Sequence, residues 1–148
     1  CIPTAPSMNG YTSAISALLE EGVKTTRPCA PPIGILADID LLTAAPYRMI
    51  AAGFGDLVSK PVSQADWLLS HHLLDTPYSP EAAHLIDQSA HLLEGVAERL
   101  PSRNPDAVGK LMGSLVLSGL SMAVAGTSAP SSGGEHLISH YLDMTHYA

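Results

Sequence analysis

Apolar residues recur at helical spacing through most of the chain after residue 45, whereas the first 45 residues mix short apolar runs with prolines. Pro46 begins one predicted helix, and a second runs from Asp56 to Leu74 with a kink at Pro61, which lacks a backbone donor. Ser79-Pro80-Glu81 and Asn104-Pro105-Asp106 are two strong start signals, because each places a capping side chain before a first-turn proline. This part of the chain is therefore predicted to be helical.

The helix that starts near Ser79 is predicted to end near Leu100-Pro101, and the next runs from Ala107 to Ala125. Three glycines in the latter, at positions 109, 113 and 119, indicate a tightly packed central helix. Serines interrupt its apolar run, which is too short and too polar to span a bilayer and is predicted to be buried. A loop over 127–134 then leads into a last helix, Glu135 to Met144.

The N-terminal part is predicted to be less regular. Residues 1–10 suit a loop or short strand, Tyr11 to Glu21 reads as a short helix that Gly22 ends, and Ile33 to Ala37 reads as a buried strand. The predicted fold is therefore mainly α, a helical bundle with a short N-terminal β edge. Residues 1–45 would form the remnant of an α/β domain, and residues 46–148 a helical domain.

Composition narrows the choice of partners. The chain has 148 residues, 46% of them hydrophobic and 14% charged, which is enough for one domain with a real core. A net charge of −7 argues against nucleic acid and against an anionic membrane, since both attract basic surfaces. Cys1 and Cys29 form neither a disulfide framework nor a CxxC pair, so a reducing, cytoplasmic setting is expected. A start at cysteine, without methionine or a signal peptide, indicates a fragment of a longer protein.

Three residues could form part of a metal site. Asp56 follows Gly55 at a predicted helix start, and His136 and His140 are four residues apart, so their rings share one helix face. One carboxylate and two imidazoles are suitable ligands for a divalent ion such as Zn²⁺. The alternatives are that Asp56 is a helix N-cap and that both histidines are partly buried helix residues. The HExxH order is absent, and His71, His72, His84 and His91 read as surface or capping residues.

Three ordered stretches resemble the sn-glycerol-1-phosphate dehydrogenase family. They are PTAPSMNGYTS at 3–13, GFGDLVSK at 53–60 together with Asp66-Trp67, and SSGGEHLISH at 131–140. That family lies within the iron-containing alcohol dehydrogenase, glycerol dehydrogenase and dehydroquinate synthase superfamily. The resemblance implies the helical C-terminal domain of that fold, an NAD(H)- or NADP(H)-dependent enzyme of phospholipid biosynthesis, and a possible homo-oligomer.

The resemblance also implies roles for single residues. Asp56 and His136 would bind a divalent metal, most simply zinc, with nickel or iron as alternatives. Asp56 and His140 would also contact substrate and take part in catalysis. Thr4, Ser7 and Ser13 would contact the dinucleotide, and Asn9 stands where the family usually has a substrate-binding aspartate. Lys24 and Lys60 are candidates for phosphate-binding or structural roles.

Two parts of the family pattern are expected to lie outside this chain. They are a third metal ligand in a His-Gly motif about a dozen residues past His140, and the glycine-rich pyrophosphate loop. His146 would be no substitute, since on a continuous helix it lies about 15 Å along the axis from His136. The implied reaction is reduction of dihydroxyacetone phosphate to sn-glycerol 1-phosphate. The alternatives are a polyol dehydrogenase, a lyase of the dehydroquinate synthase type, and a non-catalytic helical domain; the fragment alone is expected to be inactive.

Overall fold

A computed structural model of the chain describes residues 1–21 and 23–145, without the side chains at 15, 17, 19, 23, 24 and 26. Gly22, the side chain of Lys24 and His146 therefore lie outside the described residues. The described elements are one antiparallel hairpin, six α-helices and single 3-10 turns at Gly10–Thr12 and Ala97–Arg99. The strands and helices are β1 (Ile15–Glu20), β2 (Val23–Pro28), α1 (Ile39–Ala44), α2 (Tyr47–Val58), α3 (Lys60–Leu74), α4 (Pro80–Leu92), α5 (Pro105–Ala125) and α6 (Gly134–Met144).

The mainly helical prediction is confirmed, but the predicted N-terminal elements are wrong in two places. Residues 15–20 form β1, where a short helix over Tyr11 to Glu21 was expected. They pair with β2 from Ile15 opposite Pro28 to Glu20 opposite Val23. The β-branched content of β2 favours a strand, and the cross-strand ion pair between Arg27 and Glu20, at 2.7 Å, supports the pairing.

The buried strand predicted at Ile33 to Ala37 is also wrong. These residues form no strand, and Ile33 and Leu36 are exposed. Their backbone contacts the N-terminus instead: Leu36 N–H donates to the carbonyl of Cys1 at 3.0 Å, and the Cys1 amino group donates to Gly34 at 2.9 Å. An apolar run becomes a strand only where another strand lies beside it, and these contacts give it only the irregular N-terminal segment.

The helix predicted from Asp56 to Leu74 is two helices that meet at Ser59. Ser59 is both the C-cap of α2 and the N-cap of α3, and Pro61 lies in the first turn of α3, where its missing N–H costs no hydrogen bond. Asp56 therefore lies in the last turn of α2 and not at a helix start. The interpretation of Asp56 as an N-cap is wrong.

Both predicted start signals are confirmed as caps. Ser79 Oγ accepts from Ala82 N–H at 3.2 Å, and Asn104 Oδ1 accepts from Ala107 N–H at 3.1 Å. The first of these helices, α4, ends at Leu92, earlier than predicted, because the chain turns at Gly95 with a φ of +65°.

Helix α5 lies at the centre of the core. Nine of its residues are buried, and it packs against α1, α2, α4 and the 3-10 turn at Gly10–Thr12. It is the one helix of the described residues that is long and apolar enough to cross a membrane. Half of its most apolar stretch is buried inside the fold, as expected for a core helix.

The N-terminal segment Thr4–Ser13 crosses two helices at glycines. A Cβ added to Gly53 of α2 would lie 2.0 Å from the Pro6 carbonyl oxygen. A Cβ added to Gly119 of α5 would lie 2.4 Å from the Asn9 carbonyl oxygen. Only glycine permits so close an approach of backbone, so these two positions hold the segment against the helical body.

Candidate substrate and metal site

Asp56 is held from one side by a buried lysine. Lys60 is 2% exposed, and its Nζ donates to Asp56 Oδ1 at 2.7 Å and to the carbonyl of Ser131 at 2.8 Å. The other carboxylate oxygen, Oδ2, is buried and has no hydrogen-bond partner among the described residues. Because a buried carboxylate oxygen without a partner costs free energy, this atom is suited to receive a cation or a donor.

His136 lies in the first turn of α6 and His140 one turn later, and the two share a face, as the spacing predicts. Their ring centroids are 5.7 Å apart in an edge-to-face arrangement. His136 Nδ1 lies 3.2 Å from Oε1 of the neighbouring Glu135. With Nδ1–H donating to that carboxylate, Nε2 is left as the nitrogen that can bind a metal.

Glu135 is a candidate site residue that the sequence interpretation missed. Its Oε1 accepts from Ser63 Oγ at 2.6 Å and from Gly133 N–H at 3.2 Å, and its Oε2 is a second buried oxygen without a partner in the described part of the chain. Burial alone would raise the pKa of Glu135, but the hydrogen bonds from Ser63, Gly133 and His136 lower it below the ordinary value. The side chain is therefore an ionised carboxylate beside His136.

Asn9 joins the N-terminal segment to the loop before α6. Its Nδ2 donates to Ser118 Oγ at 3.0 Å, and Ser118 Oγ lies 2.9 Å from Ser131 Oγ. Ser131 is the residue whose carbonyl accepts from Lys60. Hydrogen bonds thus connect Asn9 to Asp56 through Ser118, Ser131 and Lys60, with Ser131 taking part through both its hydroxyl and its backbone carbonyl.

The predicted dinucleotide residues lie along the same segment. Thr4 is exposed, Ser7 N–H donates to Tyr11 Oη at 3.2 Å, and Ser13 lines a cavity of about 380 Å³ beside α5. Thr12 lines the same cavity, and its Oγ1 is buried without a partner among the described residues. The roles of Thr4, Ser7 and Ser13 in binding a dinucleotide stay predictions.

The remaining histidines lie apart from these contacts. His84 and His91 are exposed on α4, where their rings contact Gln88 and Glu94 respectively. His71 is half-buried and its Nδ1 lies 2.7 Å from the carbonyl of Thr76, while His72 is exposed. The predicted surface position is therefore confirmed for His72, His84 and His91, whereas His71 packs against Tyr78.

The donors present fit part of a divalent metal site. Asp56 Oδ2 and His136 Nε2 are an oxygen and a nitrogen donor of the types that Zn²⁺, Ni²⁺ and Fe²⁺ accept. Within residues 1–21 and 23–145 no group of three or more His, Cys, Asp or Glu side chains is arranged to hold a metal. The described chain therefore supplies two candidate ligands, not a complete set.

Some of this site had a signal in the sequence. The Asp56–Lys60 spacing of four residues is typical of an ion pair. Serines at 114, 118 and 121 within the apolar helix α5 indicate buried hydroxyls that need partners. Nothing in the local sequence indicates that Ser131 or Ser63 would be among the partners of these groups.

The chain is similar to known proteins along most of its length. The family model for iron-containing alcohol dehydrogenase matches residues 1–46. A glycerol-1-phosphate dehydrogenase [NAD(P)+] of Bacillus licheniformis is 45% identical over 97% of this chain, which covers 36% of that protein. The proteins of the same name from Bacillus subtilis and Thermococcus kodakarensis are 44% and 39% identical over 96% of the chain, which covers 36% and 40% of them.

The chain spans less than half the length of these curated relatives. The similarity covers all three stretches that carry the candidate site, residues 3–13, 53–60 and 131–140. Over nearly its whole length, this chain is homologous to proteins named glycerol-1-phosphate dehydrogenase.

Proposed function

We propose that the full-length protein containing this chain is a metal-dependent NAD(P)H oxidoreductase that reduces dihydroxyacetone phosphate to sn-glycerol 1-phosphate. The observation that carries the proposal is the buried Oδ2 of Asp56, which has no partner among the described residues. Asp56 lies in a part of the chain that is similar to proteins named glycerol-1-phosphate dehydrogenase [NAD(P)+]. The net charge of −7 supports a small-molecule partner rather than nucleic acid. A cytoplasmic location is part of the same proposal.

Asp56 and His136 would hold the divalent ion, with zinc the first candidate and nickel or iron as alternatives. When bound, the ion supplies Lewis-acid polarisation of the substrate's ketone oxygen. Lys60 keeps Asp56 Oδ1 occupied at 2.7 Å, so Oδ2 is the oxygen that would be left for the ion. Glu135 accepts a hydrogen bond from Nδ1 of His136, which would leave Nε2 free to bind the ion.

His140 is the candidate proton donor to the developing alkoxide. It lies one helical turn after His136, and imidazole exchanges protons near neutral pH. Thr4, Ser7 and Ser13 would orient the dinucleotide that gives the hydride, and Asn9 would bind a substrate hydroxyl. Because one N–H of its Nδ2 donates to Ser118, the side-chain oxygen Oδ1 of Asn9 would serve as a neutral acceptor for that hydroxyl.

A second candidate, a glycerol or other polyol dehydrogenase, is favoured by this same neutral side chain. An amide can hydrogen-bond a hydroxyl of either substrate, so Asn9 does not by itself choose between them. The two candidates differ in a direct assay of substrate use.

The test measures NAD(P)H oxidation by the metal-loaded full-length protein with dihydroxyacetone phosphate, and NAD(P)⁺ reduction with glycerol. Turnover of the phosphorylated ketone supports the proposal, and activity with glycerol alone supports the polyol reading. Bound metal should be lost in Asp56→Ala and kept in His84→Ala, because the exposed ring of His84 lies on α4 beside Gln88. Equal metal content in both variants would contradict the assigned ligand.

A further inference from the structure

The first two turns of α3 carry three side chains that reach the residues around the candidate ligands. We propose that this face of α3, Lys60 with Ser63 and Asp66, positions both ligands: Lys60 acts on Asp56, and Ser63 acts through Glu135 on His136. The inference rests on the proposed function, because it assigns positioning residues to that metal site. A spacing of three residues makes Ser63 the neighbour of both Lys60 and Asp66 on the helix surface.

The Lys60 part of the proposal stands on two short contacts. The ammonium group donates to Asp56 Oδ1 and to the Ser131 carbonyl, at 2.7 and 2.8 Å, and the side chain is 3% exposed. A buried lysine with two fixed acceptors has little freedom to reorient. It therefore fixes the rotation of the Asp56 carboxylate and keeps the loop before α6 next to the end of α2.

The Ser63 part acts one step further from the ligand. Ser63 is fully buried, and its hydroxyl donates to Glu135 Oε1, the same oxygen that lies 3.2 Å from His136 Nδ1. A carboxylate on the second nitrogen of a metal-binding histidine fixes its tautomer and ring orientation. Ser63 thereby sets where that carboxylate oxygen lies.

Asp66 fixes the beginning of α6 on the same face. Its Oδ2 accepts from Gly134 N–H at 2.7 Å, which places a carboxylate at the positive end of the helix that carries His136. Gly133 packs so closely here that an added Cβ would lie 2.7 Å from Asp66 Oδ2 and 3.0 Å from Ser63 Cα. Contacts with α3 thus hold the loop before α6, the beginning of α6 and, through Glu135, the candidate ligand His136.

The test compares Lys60→Met and Ser63→Ala in the full-length protein with the control Ser114→Ala. Ser114 is also fully buried and donates one hydrogen bond, but to the carbonyl of Ser89 on α4. Binding of Co²⁺ is measured by titration, and its ligand geometry by the visible absorption of the bound ion. We expect the Kd for Co²⁺ to rise about 10-fold or more in Lys60→Met, as is known for outer-shell partners, and by a smaller factor in Ser63→Ala, which acts one step further from the ligand. Both variants should change the Co²⁺ spectrum, and Ser114→Ala should change neither quantity.

Three results would contradict the inference. Unchanged or tighter Co²⁺ binding in Lys60→Met would show that the lysine acts only as a competing positive charge. An equal loss in Ser114→Ala would show a general effect of buried polar groups. If Lys60→Met does not fold, Ser63→Ala still decides, since an unchanged spectrum in that variant overturns the positioning role. If the wild type binds Co²⁺ and turns over substrate and all variants match it, only this inference is refuted. If the wild type does neither, the proposed function is refuted as well.

Discussion

Gly53 and Pro6 approach each other more closely than any side chain would permit. A Cβ at position 53 would lie 2.0 Å from the Pro6 carbonyl oxygen and 2.9 Å from its carbonyl carbon. This contact seats the segment that carries Thr4, Ser7 and Asn9 against the helix that carries Asp56. Two of the three stretches that carry the candidate site thus meet at a single glycine.

Gly53→Ala should lower the free energy of unfolding by at least about 1–3 kcal/mol, the usual cost of overpacking, because the obstacle is backbone and not a movable side chain. Urea denaturation measures this. Gly55→Ala is the matched control, since nothing lies within 4 Å of a Cβ there and alanine is the better helix former. The control should be neutral or stabilising by up to about 1 kcal/mol. Equal effects at both positions would mean that the segment does not lie on α2.

Gly119→Ala should displace the other end of the segment. Its Cβ would lie 2.4 Å from both the Asn9 carbonyl oxygen and Thr12 Oγ1. We expect a loss of stability similar to that of Gly53→Ala, together with a higher KM for substrate. Gly113→Ala is the control, because its Cβ would meet only Leu92 Cδ1 at an ordinary 3.7 Å. A KM that rises in both variants would argue against a specific role of the Asn9 contact.

Ser118→Ala should affect substrate binding through Asn9. The change removes the acceptor of the Asn9 amide, so the side chain would no longer be held in one orientation. Ser118 Oγ also contacts Ser131 Oγ at 2.9 Å, so the change removes a second contact as well. Loss of the Asn9 hydrogen bond is worth about 0.5–1.5 kcal/mol, or roughly a 2- to 10-fold rise in KM. Steady-state kinetics of the full-length protein measure it. Ser114→Ala should leave KM unchanged, and a rise there of the same size would refute the link.

Asp106→Asn should remove part of the acid sensitivity of folding. The hydrogen bond from Arg99 lowers the pKa of Asp106 below its ordinary value of 3.8, with a further contribution from Lys110. A lowered pKa gives stability that is complete above the ordinary pKa and is lost as the pH falls through the folded one. Wild type should therefore lose more stability than Asp106→Asn below about pH 4. Urea midpoints between pH 2.5 and 7 compare them, and parallel curves would contradict the prediction.

The helical body was predictable because its signals are local. The caps Ser79 and Asn104, each followed by a proline, need no information from elsewhere in the chain. The hairpin was not predictable in this way. Residues 15–20 contain an apolar run too short to separate helical from strand periodicity, and the pairing with 23–28 decided the outcome.

The candidate site was predictable only as residues, not as contacts. The family resemblance indicated Asp56, His136 and His140, but their surroundings depend on distant parts of the chain. Ser63 is 72 residues from Glu135, and Asn9 is 109 residues from Ser118. Even Asp56 was placed at the wrong end of a helix, because the glycines before it resemble a helix boundary.

The junction at Ser59 gives the ion pair of Asp56 and Lys60 a mechanical meaning. Although the two residues are only four apart, Asp56 lies in the last turn of α2 and Lys60 begins α3. Their 2.7 Å contact therefore joins the two helices across the junction at Ser59. This ion pair restrains the angle between α2 and α3. The orientation of the Asp56 side chain and the direction of α3 therefore depend on each other.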